Sequence, residues 1–327
     1  MHGVHQVHVP WAEPGSRFTA LFEALVIDWL LESSFAAVGR QLDLSWAQLD
    51  TIQRRAVRRG LARRQQQPLR IIGIDETSFQ KRHEYVTVVF DLASPSPRVL
   101  YVSDHRKKAA LDAFYARYSA SELARLEHVS MDMWAPYVAS TMEHVPDARE
   151  KICFDRFHVA QLFGKAVDQV RRQETKELTR LGDRRLRGTR YLWLKGEDRL
   201  QVRQKRSLDE LRSSCAKTAR AWQIKETARR LWSYRSRSWA AKSWKQLLGW
   251  ASRSRLQPMV RVARTLRRHL WGILNAVTAG VTNARAEALN AKIQWIKRKA
   301  CGYRNRERFR NAIYFHCGGL ELYPELV

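Results

Sequence analysis

The chain of 327 residues is long enough for two or three domains with substantial cores, and 59 lysines and arginines against 32 aspartates and glutamates leave a formal charge of +27. Such an excess makes a polyanion the expected partner, nucleic acid ahead of an anionic membrane surface. No apolar run approaches the roughly 20 residues needed to span a bilayer, and no signal peptide opens the chain, so a cytoplasmic protein without a membrane partner is expected.

Residues 1–16 read as an N-terminal tail. His2, His5 and His8 are spaced as H-x-x-H-x-x-H, an array that admits a metal but at a chain end is usually solvated. The four cysteines, Cys153, Cys215, Cys301 and Cys317, lie far apart with no C-x-x-C pair, which argues against a disulfide framework and a cysteine zinc site. No zinc is expected.

Residues 17–67 carry a helical pattern whose centre reads as a helix-turn-helix. Ser34 to Leu42 is the first helix, Asp43 and Leu44 make the turn, Ser45 is the N-cap, and Trp46 to Arg59 is the second helix. That second helix carries Gln48, Thr51, Gln53, Arg54 and Arg55 for groove contacts. Arg58, Arg59, Arg63 and Arg64 extend it as a basic tail that neutralises phosphates, supplying affinity without specificity. The competing reading is a small helical bundle with a solvated basic face. Gln65-Gln-Gln-Pro68 is the linker, with Pro68 ending the helical region.

Residues 68–160 read as the first part of an α/β core. Leu69-Arg-Ile-Ile-Gly-Ile-Asp-Glu-Thr-Ser-Phe79 is an apolar strand expected to end on Asp75, where a sheet edge opens into a cleft. Strands follow over residues 84–92 and 98–103, then an amphipathic helix over 109–126. A strand over 127–133 brings Asp132 near its end, a short helix spans 136–145, and a fifth strand over 151–155 leads into His158. This is the element order of a ribonuclease-H-like mixed sheet, with strands one, four and five side by side and Asp75 and Asp132 on neighbouring strands. Taken alone, Asp75 reads better as a residue that terminates a strand or caps a turn. Glu76 points to the opposite strand face and is not counted as a ligand.

Residues 161–280 turn helical, basic and rich in tryptophan (Trp193, Trp222, Trp232, Trp239, Trp244, Trp250 and Trp271), a large helical insertion into the core. Tryptophans among arginines can stack on unpaired bases, although each is better explained as core of the insertion itself. Residues 281–327 return to the core. A helix from Thr282 to Ala300, stopped by Gly302, has an apolar stripe (Ala286, Leu289, Ile293, Ile296 and Ala300) and a polar one (Asn283, Glu287, Asn290, Gln294 and Lys297). The apolar stripe is expected on the sheet edge, Glu287 in a cleft, and Asn290 and Lys297 further along on the DNA backbone. A glutamate early in a helix is also favoured by the dipole alone.

Asp75, Asp132 and Glu287 together are three carboxylates that repel one another unless cations lie between them, and hard oxygen ligands select Mg²⁺ or Mn²⁺. Two such ions support an in-line displacement at phosphorus. The motifs that carry these acids resemble those of the DDE-type transposases of bacterial insertion sequences, specifically the family usually called ISL-three. The resemblance runs from Val9-Pro-Trp-Ala12 and Gly15-Ser-Arg-Phe-Thr19 through Ile74-Asp-Glu-Thr77, Tyr85-Val-Thr-Val-Val-Phe-Asp-Leu92, Ser130-Met-Asp-Met133 with Tyr137, and Asp155-Arg-Phe-His158. It closes on Asn283-Ala-Arg-Ala-Glu-Ala-Leu-Asn290, Ile296-Lys-Arg-Lys299 and Gly302-Tyr-Arg-Asn305.

The resemblance implies catalysis of DNA cleavage and strand transfer with two divalent ions. Asp75, Asp132 and Glu287 fall on the catalytic, metal-binding acids. Asp155 and His158 become auxiliary residues, or else a strand-end turn, and Asn283, Asn290, Lys297 and Arg298 become DNA contacts. It implies double-stranded partners, the terminal inverted repeats and the target, a dimer or larger assembly on DNA, and association with the nucleoid. Family members usually carry a cysteine-rich, zinc-binding segment upstream, of which residues 1–16 would be the remnant. The alternatives left open are a metal-dependent nuclease or resolvase of the same fold and a domesticated, non-catalytic DNA-binding regulator.

Overall fold

In a computed structural model of the chain, residues 9–80, 84–280 and 284–325 are described; His2, His5, His8 and Asn283 lie outside them. The chain is organised as two units, residues 1–126 with 284–327, and residues 127–283.

The first unit opens with α1 (Ala20–Glu32), α2 (Phe35–Leu42) and α3 (Trp46–Arg63). Local chemistry sets each start. Thr19, Ser34 and Ser45 are N-caps whose hydroxyls accept from the backbone N–H three residues on, and Gln48 accepts from the Ser45 N–H at 2.8 Å, completing a capping box. Asp43 makes the predicted turn in the left-handed region, with φ 51°. The second helix of the pair runs past Arg59 to Arg63.

Three antiparallel strands follow, β1 (Ile71–Gln80), β2 (Glu84–Asp91) and β3 (Arg98–Ser103). The sequence predicts a strand ending on Asp75, but β1 continues to Gln80 and Asp75 stands in mid-strand opposite Val88. Thr77 and Phe79 carry the buried alternation onward, and β2 supplies backbone partners out to Glu84. The single helix predicted over 109–126 is two, α4 (Lys108–Tyr115) and α5 (Ala120–Ala124). Ser119 and Glu122 form a second capping box there, which starts a new helix.

The second unit holds β4 (His128–Met131), α6 (Ala135–His144), α7 (Ala148–Lys151) and β5 (Ile152–Phe154). β4 and β5 are parallel, with Val129 opposite Ile152, and every residue of the two strands except His128 is buried, as in strands covered on both faces. Six helices continue without a strand: α8 (Arg156–Arg180), α9 (Arg190–Leu194), α10 (Val202–Ser214), α11 (Ala216–Arg230), α12 (Arg237–Arg253) and α13 (Gln257–Ala279). Trp193, Trp222 and Trp244 are fully buried among them, whereas Trp239 is 60% exposed. α13 packs on β5 at Gly272, where a Cβ would lie 2.5 Å from the Phe154 ring. Asn275 Nδ2 donates to the carbonyls of Arg149 and Ile152, both at 2.9 Å.

α14 (Ala284–Lys299) and α15 (Arg306–Cys317) return to the first unit. α14 stops one residue earlier than predicted. Cys301 and Gly302 take φ of 54° and 97°, and the Gly302 N–H donates to the Lys297 carbonyl at 2.8 Å. Ala300 is accordingly exposed, outside the apolar stripe. Helices α1 to α3, the three strands, α14 and α15 share one apolar core. The five strands are therefore antiparallel in one unit and parallel in the other, a mixed α/β protein that is mostly helical. No helix among the described residues is long and apolar enough to cross a membrane.

Candidate nucleic-acid interface and carboxylate sites

On α3 the predicted contact residues divide into two sets. Thr51, Arg54 and Arg58 lie on the exposed face; the Thr51 hydroxyl donates to the Ala47 carbonyl at 2.8 Å, while Arg54 and Arg58 make no hydrogen bond or ion pair among the described residues. Gln48 holds the N-cap, and Gln53 is buried. Arg55 and Arg59 turn inward. Glu23, 1% exposed, takes Arg59 Nη2 at 3.0 Å, Arg55 Nε at 3.5 Å and the Ser16 hydroxyl at 2.5 Å. Glu13 takes Arg55 Nη2 at 2.9 Å and Arg59 Nε at 2.5 Å.

Arg59 also donates to the Leu322 carbonyl. Its hydrogen bond is the largest influence holding the Glu13 carboxyl below its ordinary range. Arg63 donates to the Tyr323 carbonyl and pairs with Glu325 at 2.9 Å, and Arg64 donates to the carbonyls of Leu100, Val99 and Gly318. Three of the four arginines expected to trail along DNA thus clamp the C-terminal segment or β3, because buried acids and carbonyls surround that side of α3. Trp46 at the helix start packs against Phe35 (ring centroids 5.6 Å apart), and Arg308 of α15 stacks on it at 4.1 Å and pairs with Asp50 at 3.4 Å. Sequence reasoning missed Arg308; only the fold brings it to α3.

Asp75 is positioned by β1 and held from α14. Asn290 Nδ2 donates to Asp75 Oδ2 at 2.5 Å, and the Glu76 N–H donates to Oδ1 at 2.7 Å. One and two turns on, Gln294 donates to the Thr77 hydroxyl at 2.5 Å and Lys297 to the Ser78 carbonyl at 2.8 Å. The polar stripe of α14 therefore runs along β1 in the same direction, and desolvation pushes the Lys297 ammonium below its ordinary pKa. Asn290 and Lys297, expected on DNA, have these partners on β1; Arg298 is exposed. Glu287 lies one turn before Asn290 in the same row and is exposed. Close approach of strand and helix is permitted at Gly73, where a Cβ would be 2.8 Å from the Leu92 side chain and 3.7 Å from Ala286. Glu76, on the other face of β1, pairs with Arg106.

In the second unit Asp132 follows the last residue of β4, its Oδ1 accepting from the Met133 N–H at 2.6 Å. Asp155 is the N-cap of α8, buried to 6% exposure, with Oδ1 accepting from the Phe157 N–H at 2.9 Å. His158, on the first turn of α8, sits between them, with Nδ1 3.5 Å from Asp132 Oδ2 and Nε2 3.8 Å from Asp155 Oδ2. Asp132, Asp155 and His158 thus lie together at the ends of β4 and β5.

Among the described residues no three or more His, Cys, Asp or Glu side chains converge as a metal cage. The donor chemistry does suit a hard divalent cation: Asp75 presents carboxylate oxygens, and beside it Asn290 Oδ1 is a buried acceptor without a hydrogen-bond partner among the described residues.

Comparison with known proteins places these features in a family. Residues 72–313 match a family described as transposase, and residues 7–57 match the helix-turn-helix domain of transposase family ISL3. The chain is 29% identical over 303 residues to the transposase for insertion sequence element IS1001 of Bordetella parapertussis, covering 91% of this chain and 73% of that protein. It is 29% identical over 334 residues to the transposase for insertion sequence element IS1557 of Mycobacterium tuberculosis, covering 93% of this chain and 73% of that protein. The capped helix pair at the N-terminus and the strand and helix motifs that follow are thus those of a single lineage, and the chain belongs to the ISL3 family of insertion-sequence transposases.

Proposed function

We propose that the chain binds the terminal inverted repeats of an insertion sequence through α2 and α3 and catalyses DNA cleavage and strand transfer at Asp75, Asp132 and Glu287, in a ribonuclease-H-like core. The observation that carries this reading is the transposase-family match over residues 72–313, the stretch in which Asp75, Asp132 and Glu287 lie, together with the hydrogen bond that ties Asp75 to Asn290 of the helix bearing Glu287. Two Mg²⁺ or Mn²⁺ ions, held by Asp75, Asp132 and Glu287, would supply Lewis-acid stabilisation of the attacking and leaving oxygens.

The protein's own groups have distinct tasks. Asn290 and the Glu76 N–H each donate to one oxygen of the Asp75 carboxylate and so fix its orientation. His158 bridges Asp132 and the capping Asp155, limiting rotation of Asp132. Arg54 and Arg58 neutralise phosphates while the exposed face of α3 enters a groove. Cleavage and joining take place on an assembly of at least two protomers that pairs two DNA ends.

The test uses the full chain, Mg²⁺ and a linear duplex carrying the DNA that flanks its coding region. Cleavage at the repeat edge together with a product joined to a second duplex supports the proposal. Cleavage without joining points to a nuclease or resolvase, and binding without either points to a regulator.

A further inference from the structure

In the first unit α3 and α15 lie side by side and leave a groove of about 700 Å³ between them. Thr51, Arg54 and Arg58 line it from α3, and Arg310 and Asn311 line it from α15. The two sides are locked in place. Both helices contribute to one apolar core, and Arg308 of α15 stacks on Trp46 and pairs with Asp50 at the start of α3.

The arginines of α3 and its C-cap Arg64 sort by partner. Arg55, Arg59, Arg63 and Arg64 all have carboxylate or carbonyl partners within the protein. Arg54 and Arg58, one turn apart, have none among the described residues, and both are exposed at the groove. On the facing helix, Arg310 pairs with Asp104 at 2.8 Å, and the half-buried Asn311 amide makes no hydrogen bond among the described residues. The one acid on the lining is Glu307, in the first turn of α15, where the helix dipole favours it. Two unpaired guanidiniums and an unpaired amide donor along one channel match the needs of a polyanion strand. Residues four apart on a helix have Cβ atoms about 5–6 Å apart, so long arginines at such positions can reach neighbouring phosphates.

We propose that this groove is a DNA-backbone site shared between α3 and the C-terminal helix α15. Arg54 and Arg58 take phosphates of one strand, and the Asn311 amide donates to the same strand from the opposite wall. The DNA-binding surface is then not confined to the helix-turn-helix but is completed by the far end of the chain. This rests on the reading of α2 and α3 as the DNA-binding pair, and the experiment separates the two claims.

The experiment measures fluorescence anisotropy of a labelled mixed-sequence duplex of about three helical turns, titrated with the full chain over a series of salt concentrations. The variants are R54A/R58A, N311A and N311E, each checked for an unchanged thermal midpoint. The double variant lowers the slope of log affinity against log salt by about 2, as expected for two lost phosphate contacts. N311A loses about fivefold in affinity with the slope unchanged, since a neutral donor is removed. N311E loses at least about tenfold, because a carboxylate then faces the strand. If both Asn311 variants bind as wild type while R54A/R58A weakens binding, the shared groove is wrong and α3 binds alone. If none of the three weakens binding, the helix-turn-helix reading falls with it.

Discussion

Arg59 distinguishes a structural arginine from a DNA-contacting one, and its replacement by methionine keeps the apolar stem while removing the guanidinium. The change takes Nη2 from Glu23, a carboxylate only 1% exposed, and Nε from Glu13, and it leaves the Leu322 carbonyl without its donor. Removing one partner of a buried ion pair typically costs about 3–5 kcal/mol. Arg55 remains within 3.5 Å of Glu23 and the Ser16 hydroxyl within 2.5 Å, so the low end, about 3 kcal/mol, is the expectation. At about 2–4 °C per kcal/mol for a folding unit of this size, the melting midpoint of the first unit falls by roughly 6–12 °C. Calorimetry and circular dichroism read that shift, and anisotropy well below the midpoint finds DNA affinity within about twofold of wild type, because an inward-facing cation touches no phosphate. An unchanged midpoint combined with weakened binding and a salt slope lower by about 1 would mean that Arg59 contacts DNA, and would refute the reasoning.

Other consequences follow from single contacts. Asn290→Ala removes the donor 2.5 Å from Asp75 Oδ2; in single-turnover cleavage the Mg²⁺ concentration for half-maximal rate rises about 10–100-fold, as outer-shell losses do, with DNA affinity unchanged. Gly272→Ala places a Cβ 2.5 Å from the buried Phe154 ring; overpacking of about 1–3 kcal/mol exceeds the roughly 1 kcal/mol of helix propensity gained, so the second unit melts earlier in calorimetry. His316 is held down to about 4 by burial, then by Lys299 and Lys292, against an ordinary 6.5. Between those values the unfolded chain binds more protons than the folded one, so this histidine makes stability fall as pH drops from 6.5 toward about 4. In urea titrations at several pH values, His316→Gln shows a shallower loss across that window than wild type.

Much of this architecture was legible because it is local. Ser45 and Gln48 announce the start of α3, Asp43 the turn before it, and the alternation of β2 and β3 needs no partner to be recognised. What escaped depends on residues far away in the chain. Arg55 reads as a groove contact and Arg59 as part of a basic tail because their partners, the carboxylates of Glu13 and Glu23 and, for Arg59, the Leu322 carbonyl, are distant in sequence. The helical period did carry a signal, since Leu49, Ile52, Ala56 and Arg59 fall on one buried row. In the sequence Asp75 reads as a strand terminator, whereas the partners on β2 decide where the ladder stops. The break between α4 and α5 was written in Ser119 and Glu122 as a capping box inside an otherwise helical pattern.

At the carboxylates, residue types were readable and geometry was not. The polar row of α14 was apparent, but its engagement with Asp75, Thr77 and Ser78 follows from how that helix lies along β1. The Asp155 cap and the His158 bridge likewise needed the start of α8 to be placed beside Asp132.

The central claim, that Asp75, Asp132 and Glu287 act as one catalytic set, is tested most directly by comparing Asp75→Asn, Asp132→Asn and Glu287→Gln in one assay of Mg²⁺-dependent cleavage of a duplex carrying the flanking DNA. Each isosteric change removes a charge and a metal ligand while preserving shape. All three single variants are expected to lose cleavage by at least about a thousandfold, with duplex affinity within a few-fold of wild type. Cleavage at the wild-type rate by any one of the three variants would remove that residue from the set and contradict the account.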